Sequence, residues 1–381
     1  MKTYDTIIIG AGAAGLKAAH ELYLRKKSVL ILDMGDTHAR KVAISGGGNC
    51  NFTNTSATYK TYFGNNPKFT ISALKQFSPI DTLNWVKNTG IKFIEKEPGR
   101  YFCQNGAKNI VDALKNDIKN IEIKYNTKVE SVSKNENLFI VNTEKIQFQC
   151  YSIIIATGGV SYPVLGVSNI GHLIAKKFGH KIVPLRPALC ALKTKYFDAN
   201  LSGISCMVQI KNKDRIICDN LLFTHFGIGG PAIYRTSLST GKFTINFMPN
   251  KNVFDILKTA KQTNGKKDIS TILGEYLPNK LALFFLTNPH KNIADFKDSE
   301  LKEISDKISA FAIEDYETIG MNAAEITFGG VDTKDISSKT MESLLCSGLF
   351  FAGEVMDISG DLGGFNLQWA FSSGVVAGRN A

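Results

Sequence analysis

The residues that decide the fold are Thr6-Ile7-Ile8-Ile9-Gly10-Ala11-Gly12-Ala13-Ala14-Gly15, near the start of a chain of 381 residues. The β-branched run before the glycines predicts a buried parallel strand, and the residues after them predict a helix. Gly10 permits a tight turn, Gly12 lets backbone N–H groups approach a pyrophosphate, and Gly15 lets helix and strand pack closely. The N-terminus of the helix adds a positive dipole for phosphates.

An acidic residue completes this fingerprint. The helix is expected to run to about Lys26, and Ser28–Leu32 predicts a second strand that ends in Asp33, 23 residues after Gly10. At that spacing a carboxylate accepts hydrogen bonds from the hydroxyls of an adenosine ribose. The sequence therefore predicts dinucleotide binding, but FAD and NAD present the same ADP half and are not distinguished here.

Three further glycine-rich segments favour FAD. The segment 40–51 carries three consecutive glycines beside two cations and two amides. The predicted strands Ser152–Ala156 and Gly348–Ala352 both end in glycine, at 157–159 and 353–354. The carboxyl ends of parallel strands line the ligand crevice of a doubly wound sheet, so one long ligand is expected to cross several of them.

The last segment concerns the flavin end of such a ligand. Asp357, Asp361 and Gly363-Gly364-Phe365-Asn366 precede a helical run over Leu367–Gly378. A helix that begins near Asn366 and points its N-terminus at the flavin pyrimidine edge stabilises the negative charge that gathers there on reduction. The alternative is a C-terminal helix that merely packs on the sheet, and Trp369 is expected to pack within that helix rather than stack on a ligand.

These motifs in combination resemble the BaiN/YhiN-type FAD-binding oxidoreductases, a bacterial family with members described as aminoacetone oxidases and bile-acid enone reductases. The resemblance runs from residue 5 to residue 378. Its most specific parts are the Ser-Gly-Gly-Gly-x-Cys-Asn block that begins at Ser45 and the Leu-Gly-Gly-Phe-Asn-Leu-Gln-Trp block at 362–369. It implies an α/β fold in which a Rossmann-like FAD-binding domain is formed by both chain ends, 1–187 and 332–381.

The resemblance also implies an inserted, mixed β-barrel-like and helical domain over 188–331, with substrate bound where the insert meets the isoalloxazine. The pattern of the chain agrees with an insertion after Pro187. Residues 188–250 alternate as antiparallel strands do, and 251–320 read as helical, with Leu301, Ile304, Ile308 and Phe311 on one predicted helical face. A second GxGxxG is absent from this interval. Any NAD(P)H is therefore expected to act as a transient reductant.

The residues predicted to contact FAD are glycines, amides, hydroxyls, charged groups and small neighbours at the strand ends and helix starts described above. The glycine turn and the acidic residue after the second strand are expected to hold the ADP half. The later segments are expected to hold the rest of the cofactor. The set is Gly10, Gly12, Ala13, Ala14, Gly15, Asp33, Arg40, Lys41, Ser45, Gly46, Gly47, Asn49, Cys50, Asn51, Ala156, Thr157, Gly158, Gly353, Glu354, Asp361, Gly363, Gly364, Phe365 and Asn366.

Two residues are predicted to take part in catalysis. His225 lies in a glycine-rich loop that resembles the family's insert loop, and a histidine there can move a proton near neutral pH. Arg100 lies in a segment that resembles a family Gly-Arg-x-Phe-Pro pattern and is expected to pair with an anionic substrate or a cofactor phosphate. This chain has Cys103 where that pattern has proline. Cys103 is interpreted as a packed thiol, and Cys50 as a cofactor contact.

Composition indicates the cellular compartment in which the chain is expected to act. The seven cysteines are scattered, with no CxxC and no spacing typical of zinc ligands. We interpret them as reduced thiols in a cytoplasm, and the absence of a close pair argues against a redox-active disulfide. No apolar run is long enough to cross a bilayer and no signal sequence is apparent, so neither a membrane partner nor export is expected.

The formal net charge is +11 and is unevenly distributed. Residues 51–187 hold 18 Lys and Arg against 9 Asp and Glu, whereas residues 311–381 hold 3 against 10. The lysines are mostly single, so solvated faces explain most of the excess, and a diffuse basic face for RNA is the alternative.

The sequence thus predicts an FAD-dependent oxidoreductase that transfers hydride between flavin N5 and a small organic substrate or NAD(P)H. A flavin-dependent tRNA-modifying enzyme and a non-catalytic, flavin-bound redox sensor are the alternatives. The substrate, the direction of electron transfer and the oligomeric state stay open.

Overall fold

The chain forms two compact units. The computed structural model describes residues 2–213 and 215–381. One unit, here called the terminal unit, comprises Met1–Pro187 and Met321–Ala381, and the other, the insert, comprises Ala188–Gly320. The insert ends at Gly320 rather than at the predicted residue 331, because the strand that follows pairs within the terminal unit. Among the described residues, no helix combines the length and the apolar character needed to span a membrane.

The terminal unit contains most of the strands and helices of the described residues. Its strands are β1 Thr3–Ile9, β2 Val29–Leu32, β3 Asn51–Asn54, β4 Tyr62–Phe63, β5 Phe93–Glu97, β6 Arg100–Cys103, β7 Glu122–Lys124, β8 Val129–Asn135, β9 Leu138–Thr143, β10 Gln147–Ile155 and β11 Ile182–Ala188. Its helices before the insert are α1 Ala13–Leu24, α2 Arg40–Ile44, α3 Thr70–Gln76, α4 Pro79–Asn88, α5 Lys108–Asn116 and α6 Ile170–Lys177.

The insert contributes β12 Leu192–Lys193, β13 Ser205–Asn212, β14 Arg215–Thr224, β15 Gly227–Gly229, β16 Phe243–Asn246, β17 Phe311–Ile313 and β18 Glu317–Thr318. Its helices are α7 Gly230–Thr236, α8 Val253–Thr263, α9 Ile269–Gly274, α10 Asn279–Phe284 and α11 Asp298–Ser309. The chain then returns to the terminal unit as β19 Ile326–Val331, β20 Leu349–Phe351, β21 Ser359–Gly360 and α12 Phe365–Asn380.

The main sheet of the terminal unit has the strand order β7-β2-β1-β10-β9-β8, with β20 also paired to β10. The β7–β2, β2–β1, β1–β10 and β10–β20 pairings are parallel, whereas the β10–β9 and β9–β8 pairings are antiparallel. The parallel strands consist largely of buried β-branched and aliphatic residues, as expected for strands covered on both faces. Their carboxyl ends therefore lie at one edge of the sheet, where ligands bind in doubly wound folds.

Strand β10 joins the parts of the sheet that are distant in sequence. Its amino half, Gln147–Cys150, pairs with β9, while its carboxyl half, Ile153–Ile155, pairs with β20 on the same edge. The other edge pairs with β1 along most of its length. The C-terminal part of the chain thus enters the same sheet as the first strand.

Helices α1 and α12 pack closely on each other. A Cβ on Gly374 would collide with the carbonyl oxygen of Ala14, and one on Gly378 with that of Ala18. Since the contacts advance by four residues on both helices, the two helices run parallel with their backbones in contact. Glycine is required at these two positions by the close approach.

The β part of the insert is a seven-stranded antiparallel sheet of order β17-β16-β13-β14-β15-β12-β18. The prediction of strands alone over 188–250 misses α7, which begins with Gly230-Pro231. The prediction that Phe311 lies on a helical face is wrong, because α11 ends at Ser309 and Phe311 begins β17. The insert has its own apolar core, distinct from that of the terminal unit.

Lys17 is a buried cation on α1 in the terminal unit. Its ammonium lies 3.3 Å from the ring centroid of Trp85 and 3.5 Å from Oδ2 of Asp117, and the residue is 2% exposed. Burial lowers the pKa of Lys17 to about 7, against the opposing effect of Asp117. The unfolded chain therefore binds one more proton than the folded chain between about pH 7 and pH 10.

Stability is accordingly expected to rise with pH in that window, by at most about 1.4 kcal/mol per pH unit from this group. Substitution Lys17→Met removes the titrating group, so the variant should lack this part of the rise between pH 7 and pH 9 in urea unfolding. The half-exposed Lys27 serves as control, and Lys27→Met should keep the wild-type slope. Equal slopes in wild type and Lys17→Met would contradict the assignment.

Candidate functional site

The first glycine turn has the close backbone contacts that its sequence predicts. Gly10 has φ 109°, and a Cβ there would collide with the carbonyl oxygen of Ala156 at the end of β10. A Cβ on Gly15 would collide with the carbonyl oxygen of Gly10. Gly12 differs, because a Cβ there would meet no protein atom within 4 Å. Gly10 and Gly15 thus pack the turn, whereas Gly12 faces open space.

Asp33 lies at the end of β2 and is 9% exposed. Its Oδ2 accepts a hydrogen bond of 2.7 Å from the amide of Ala11, and its Oδ1 accepts 2.8 Å from the amide of Gly35. The guanidinium of Arg40 reaches the same Oδ1 at 2.9 Å and also donates to the carbonyl oxygen of Leu165. The carboxylate is thereby fixed at the turn, with acceptor capacity left on Oδ2 for a ribose hydroxyl.

A cavity opens at the ends of β1 and β2 and includes residues that the sequence did not single out. It is lined by Gly10, Asp33 and Thr157, which were predicted, and by Lys128 and Val129, which were not. Lys128 immediately precedes β8 and Val129 begins it, and neither carries a glycine or acidic signal. The segment is brought to the cavity by the amide of Thr127, which donates to the carbonyl oxygen of Asp33 at 2.9 Å.

Lys41 and Glu354, both predicted to contact cofactor, contact each other. The ammonium of Lys41 lies 2.9 Å from Oε2 of Glu354 and 2.8 Å from the hydroxyl of Ser161. Oε1 of Glu354 accepts 2.8 Å from the amide of Thr327, whose hydroxyl accepts from the amide of Ser161 at 3.0 Å. The network holds the end of β10, the start of α2, and the segments around β19 and β20 together. Thr327 was missed because a lone threonine in a strand gives no sequence signal.

The consecutive glycines 46–48 lie in a short turn in which all three have positive φ, from 57° to 84°. Cβ atoms on Gly47 and Gly48 would meet nothing within 4 Å. The amide of Asn49 donates to the Gly46 carbonyl at 3.3 Å, and the amide of Cys50 donates to the Ser45 carbonyl at 3.0 Å. The turn thus presents backbone to open space on one side and is anchored at its end.

The start of α12 is held by side chains of the preceding loop. Oδ1 of Asn366 accepts from the amide of Gly360 at 2.8 Å, and its Nδ2 donates to the Gly360 carbonyl at 3.1 Å. Gly364 has φ 91°, and no side chain caps the helix N-terminus. Trp369 packs as expected, 1% exposed, with Nε1 donating to the Gly353 carbonyl at 3.2 Å.

The helices α1 and α12 both present uncapped N-termini, without an acidic residue in the first turn. The two helices run parallel, and Gly374 lies beside Ala14. Gly374 is nine residues into α12 whereas Ala14 is one residue into α1, so the N-terminus of α12 extends about eight residues, or roughly 12 Å, beyond that of α1 along the common direction. One positive end thus suits a pyrophosphate and the other suits charge at the far end of an extended ligand. FAD fits this arrangement: the first turn and Asp33 would hold its ADP half, and α12 would face its flavin.

All residues predicted to contact the cofactor lie in the terminal unit. Arg100 also lies there, with its guanidinium 2.7 Å from Oε2 of Glu97 and 3.5 Å from the carbonyl oxygen of Leu362. It packs against Gly363, just before α12. His225 lies in the insert, exposed in the turn between β14 and β15. The role predicted for each stays a prediction.

The expectation that no two cysteines lie close together is wrong. Cys50 precedes β3 and Cys103 ends β6, and these strands pair antiparallel with Asn51 opposite Phe102. The amide of Cys103 donates to the carbonyl oxygens of Asn49 at 3.0 Å and of Cys50 at 3.4 Å. The pairing joins positions 53 residues apart, which no cysteine spacing in the sequence indicates.

The fold and this site define an FAD-dependent oxidoreductase of the α/β class. Comparison with known sequences agrees, because the family profile described as "HI0933-like protein Rossmann domain" matches residues 4–380. The chain belongs to this HI0933-like family, which confirms the YhiN/BaiN-type resemblance.

Two relatives and one solved structure illustrate the similarity. The chain is 41% identical to a ribosomal RNA dihydrouridine synthase of Haemophilus influenzae, over 97% of this chain and 96% of the relative. It is 28% identical to a 3-dehydro-bile acid delta(4,6)-reductase of Clostridium scindens, over 98% of each chain. A 3-ketosteroid-Δ4-(5α)-dehydrogenase of Rhodococcus jostii has a similar fold, with TM-score 0.50 at 13% identity, covering 100% of this chain and 96% of that one.

The open space at Gly12 allows the cofactor site to be tested separately from the fold. Since a Cβ at Gly12 meets no protein atom within 4 Å, Gly12→Val should fold with near-wild-type circular dichroism and melting temperature. Its side chain would collide with a bound pyrophosphate, so the purified variant should lack the flavin absorbance of the wild type. By contrast, Gly10→Val should impair folding itself, because its side chain collides with β10. Full flavin content in folded Gly12→Val would refute the phosphate assignment.

Proposed function

We propose that this chain reduces the C5=C6 bond of a uridine in ribosomal RNA, with FAD as its resident hydride carrier. The observation that carries the proposal is the 41% identity with the Haemophilus influenzae ribosomal RNA dihydrouridine synthase, which extends over 97% of this chain. A match of that length includes the insert as well as the terminal unit. It therefore covers more than the dinucleotide-binding residues that many flavoproteins share.

The chemistry implied by the two relatives' names supports reduction of one class of bond. The C5=C6 bond of uracil is conjugated to the C4 carbonyl, and a 3-dehydro bile acid with Δ4,6 unsaturation has C=C bonds conjugated to its C3 carbonyl. In both, hydride adds to a carbon remote from the carbonyl, and negative charge collects on the carbonyl oxygen until a carbon is protonated. The proposed reaction is thus reduction of a conjugated C=C bond.

Bound FAD, once reduced, supplies hydride from its N5. The chain's own groups bind and orient the reactants. The uncapped N–H groups at the start of α12 would stabilise the negative charge that gathers on a flavin bound there when it is reduced. Lys41 and Glu354 hold four segments around the site together through hydrogen bonds of 2.8 to 3.2 Å. We infer that NAD(P)H is the transient reductant.

The charge of the chain is suited to an RNA substrate. The formal net charge is +11, and the excess is concentrated in residues 51–187, with 18 basic against 9 acidic residues. A basic surface attracts a polyanion at long range and makes binding weaken as salt rises. An RNA substrate would gain from this charge even where single lysines on solvated faces carry most of it.

The proposal is tested with purified flavoprotein, NADPH or NADH, and unmodified ribosomal RNA transcribed in vitro, mixed without oxygen. The expected result is a 2 Da gain on uridine in nuclease digests, together with oxidation of the nicotinamide. Gly12→Val is the matched control and should give no gain, and transcribed tRNA tests for a different RNA substrate. Unchanged ribosomal RNA, with gain on tRNA alone or on neither RNA, would overturn the proposal.

A second candidate, reduction of a small conjugated enone, is favoured by the 28% identity with the Clostridium scindens reductase over 98% of each chain. The same assay distinguishes the two candidates when a 3-oxo-Δ4,6 bile acid replaces RNA. Rapid nicotinamide oxidation with the bile acid, without any change in ribosomal RNA, would select the enone reductase.

Arg100 and His225 are the side chains expected to act on substrate. Arg100 lies against Gly363 before α12, where it can pair with a carbonyl oxygen or a phosphate, and His225 is proposed to supply the proton. Arg100→Gln and His225→Gln should each slow reoxidation of the reduced flavin by substrate at least about a hundredfold, the lower end of what one positioned group contributes. Flavin content should not change.

The exposed Lys92 lies just before β5, in the same region as Arg100, so Lys92→Gln removes equal charge and is the matched control. It should affect only salt-dependent binding. Wild-type reoxidation rates in Arg100→Gln or His225→Gln would remove that residue from the mechanism.

A further inference from the structure

The cysteine pair introduced above occupies a defined position next to the glycine turn. Cys103 ends β6 and Cys50 lies one residue before β3 with φ 48°, so the register of Asn51 opposite Phe102 brings Cys50 beside Cys103 at the end of the ladder. The amide of Cys103 donates to the Cys50 carbonyl at 3.4 Å, which fixes the two backbones side by side. Cys50 is 0% exposed and Cys103 is 1% exposed.

This geometry suits a disulfide. A disulfide bridges Cα atoms about 4.4 to 6.8 Å apart, and neighbouring antiparallel backbones joined by an amide–carbonyl contact, as Cys103 and Cys50 are, lie at about that separation. The two thiols are also close enough for each to shift the pKa of the other. Among the other cysteines, Cys206 and Cys218 lie on neighbouring strands but oppose Leu221 and Gln209.

We propose that Cys50 and Cys103 form a reversible dithiol–disulfide switch that clamps the glycine turn 45–48 to strand β6. The clamp would act where the turn is already anchored, since the Gly48 carbonyl accepts 2.7 Å from the amide of Ala107. Oxidation would therefore restrict a turn whose three glycines all have left-handed φ. This proposal rests on the thiol geometry and not on the identity of the substrate.

The two thiols have different roles in the oxidation. The interaction between the two thiols lowers the pKa of Cys103 and raises the pKa of Cys50 well above its usual range. We assign Cys103 the role of nucleophile, because the thiolate is the reactive form of a cysteine. With hydrogen peroxide as oxidant, the Cys103 thiolate attacks one oxygen, the O–O bond breaks, and hydroxide leaves and becomes water. The Cys50 sulfur then attacks the resulting sulfenic acid, forming the S–S bond and releasing a second water.

The first test is the intact mass of the purified flavoprotein after treatment with a small excess of hydrogen peroxide. The expected change is a loss of 2 Da that dithiothreitol reverses, with a peptide crosslink between Cys50 and Cys103 on non-reducing digestion. Cys103→Ala and Cys50→Ala should each abolish the loss. The control is Cys150→Ala, equally buried but opposed to Tyr4 and Phe139, which should lose 2 Da like the wild type.

The wild-type peptide map decides the outcome even if a cysteine variant fails to fold. Oxygen addition without a crosslink, a crosslink between other cysteines, or no change of mass would each overturn the switch. The clamp itself is tested by hydrogen exchange of the backbone amides at 46–49, which should slow at least tenfold on oxidation and recover on reduction. Unchanged exchange in crosslinked protein would overturn the clamp.

Discussion

The site depends on the close backbone contact between the first and last helices of the chain. Gly374 and Gly378 on α12 meet the carbonyl oxygens of Ala14 and Ala18 on α1, at separations that exclude any Cβ. This contact fixes the helices parallel and staggered. Two uncapped, positively polarised helix ends therefore face the same direction at different heights above the carboxyl edge of the sheet.

The remaining interactions hold that arrangement in place. Gly353, at the end of β20, lies between the helices, with its amide donating 2.9 Å to Ser373 and its carbonyl accepting 3.2 Å from Trp369. The buried side chain of Gln368 bonds the hydroxyls of Thr53 and Thr82 at 2.5 and 2.8 Å. The start of α12 is thereby attached to strand β3, beside the glycine turn. A preorganised electrostatic site of this kind needs little rearrangement when charge develops in it.

Sequence reasoning predicted the features that depend on local backbone geometry. The turn from Gly10 to Gly15, the acid at Asp33 and the helix start near Asn366 all have residue types that few other conformations require. Sequence reasoning failed for residues whose position depends on contacts between segments that are distant in the chain. Lys128 reaches the site because the amide of the preceding Thr127 bonds to Asp33, and Thr327 through its bonds to Glu354 and Ser161. Cys50 meets Cys103 through the register of β3 on β6. Phe311 was misassigned because its spacing from α11 suits a helix, although the helix ends two residues earlier.

The most direct test of the central claim is the flavin content of the purified full-length protein. The chain should contain one tightly bound FAD, identified by chromatography of the cofactor released on denaturation, or should take up one equivalent when incubated with excess FAD. A chain that is colourless as isolated and binds no FAD on incubation would contradict the account.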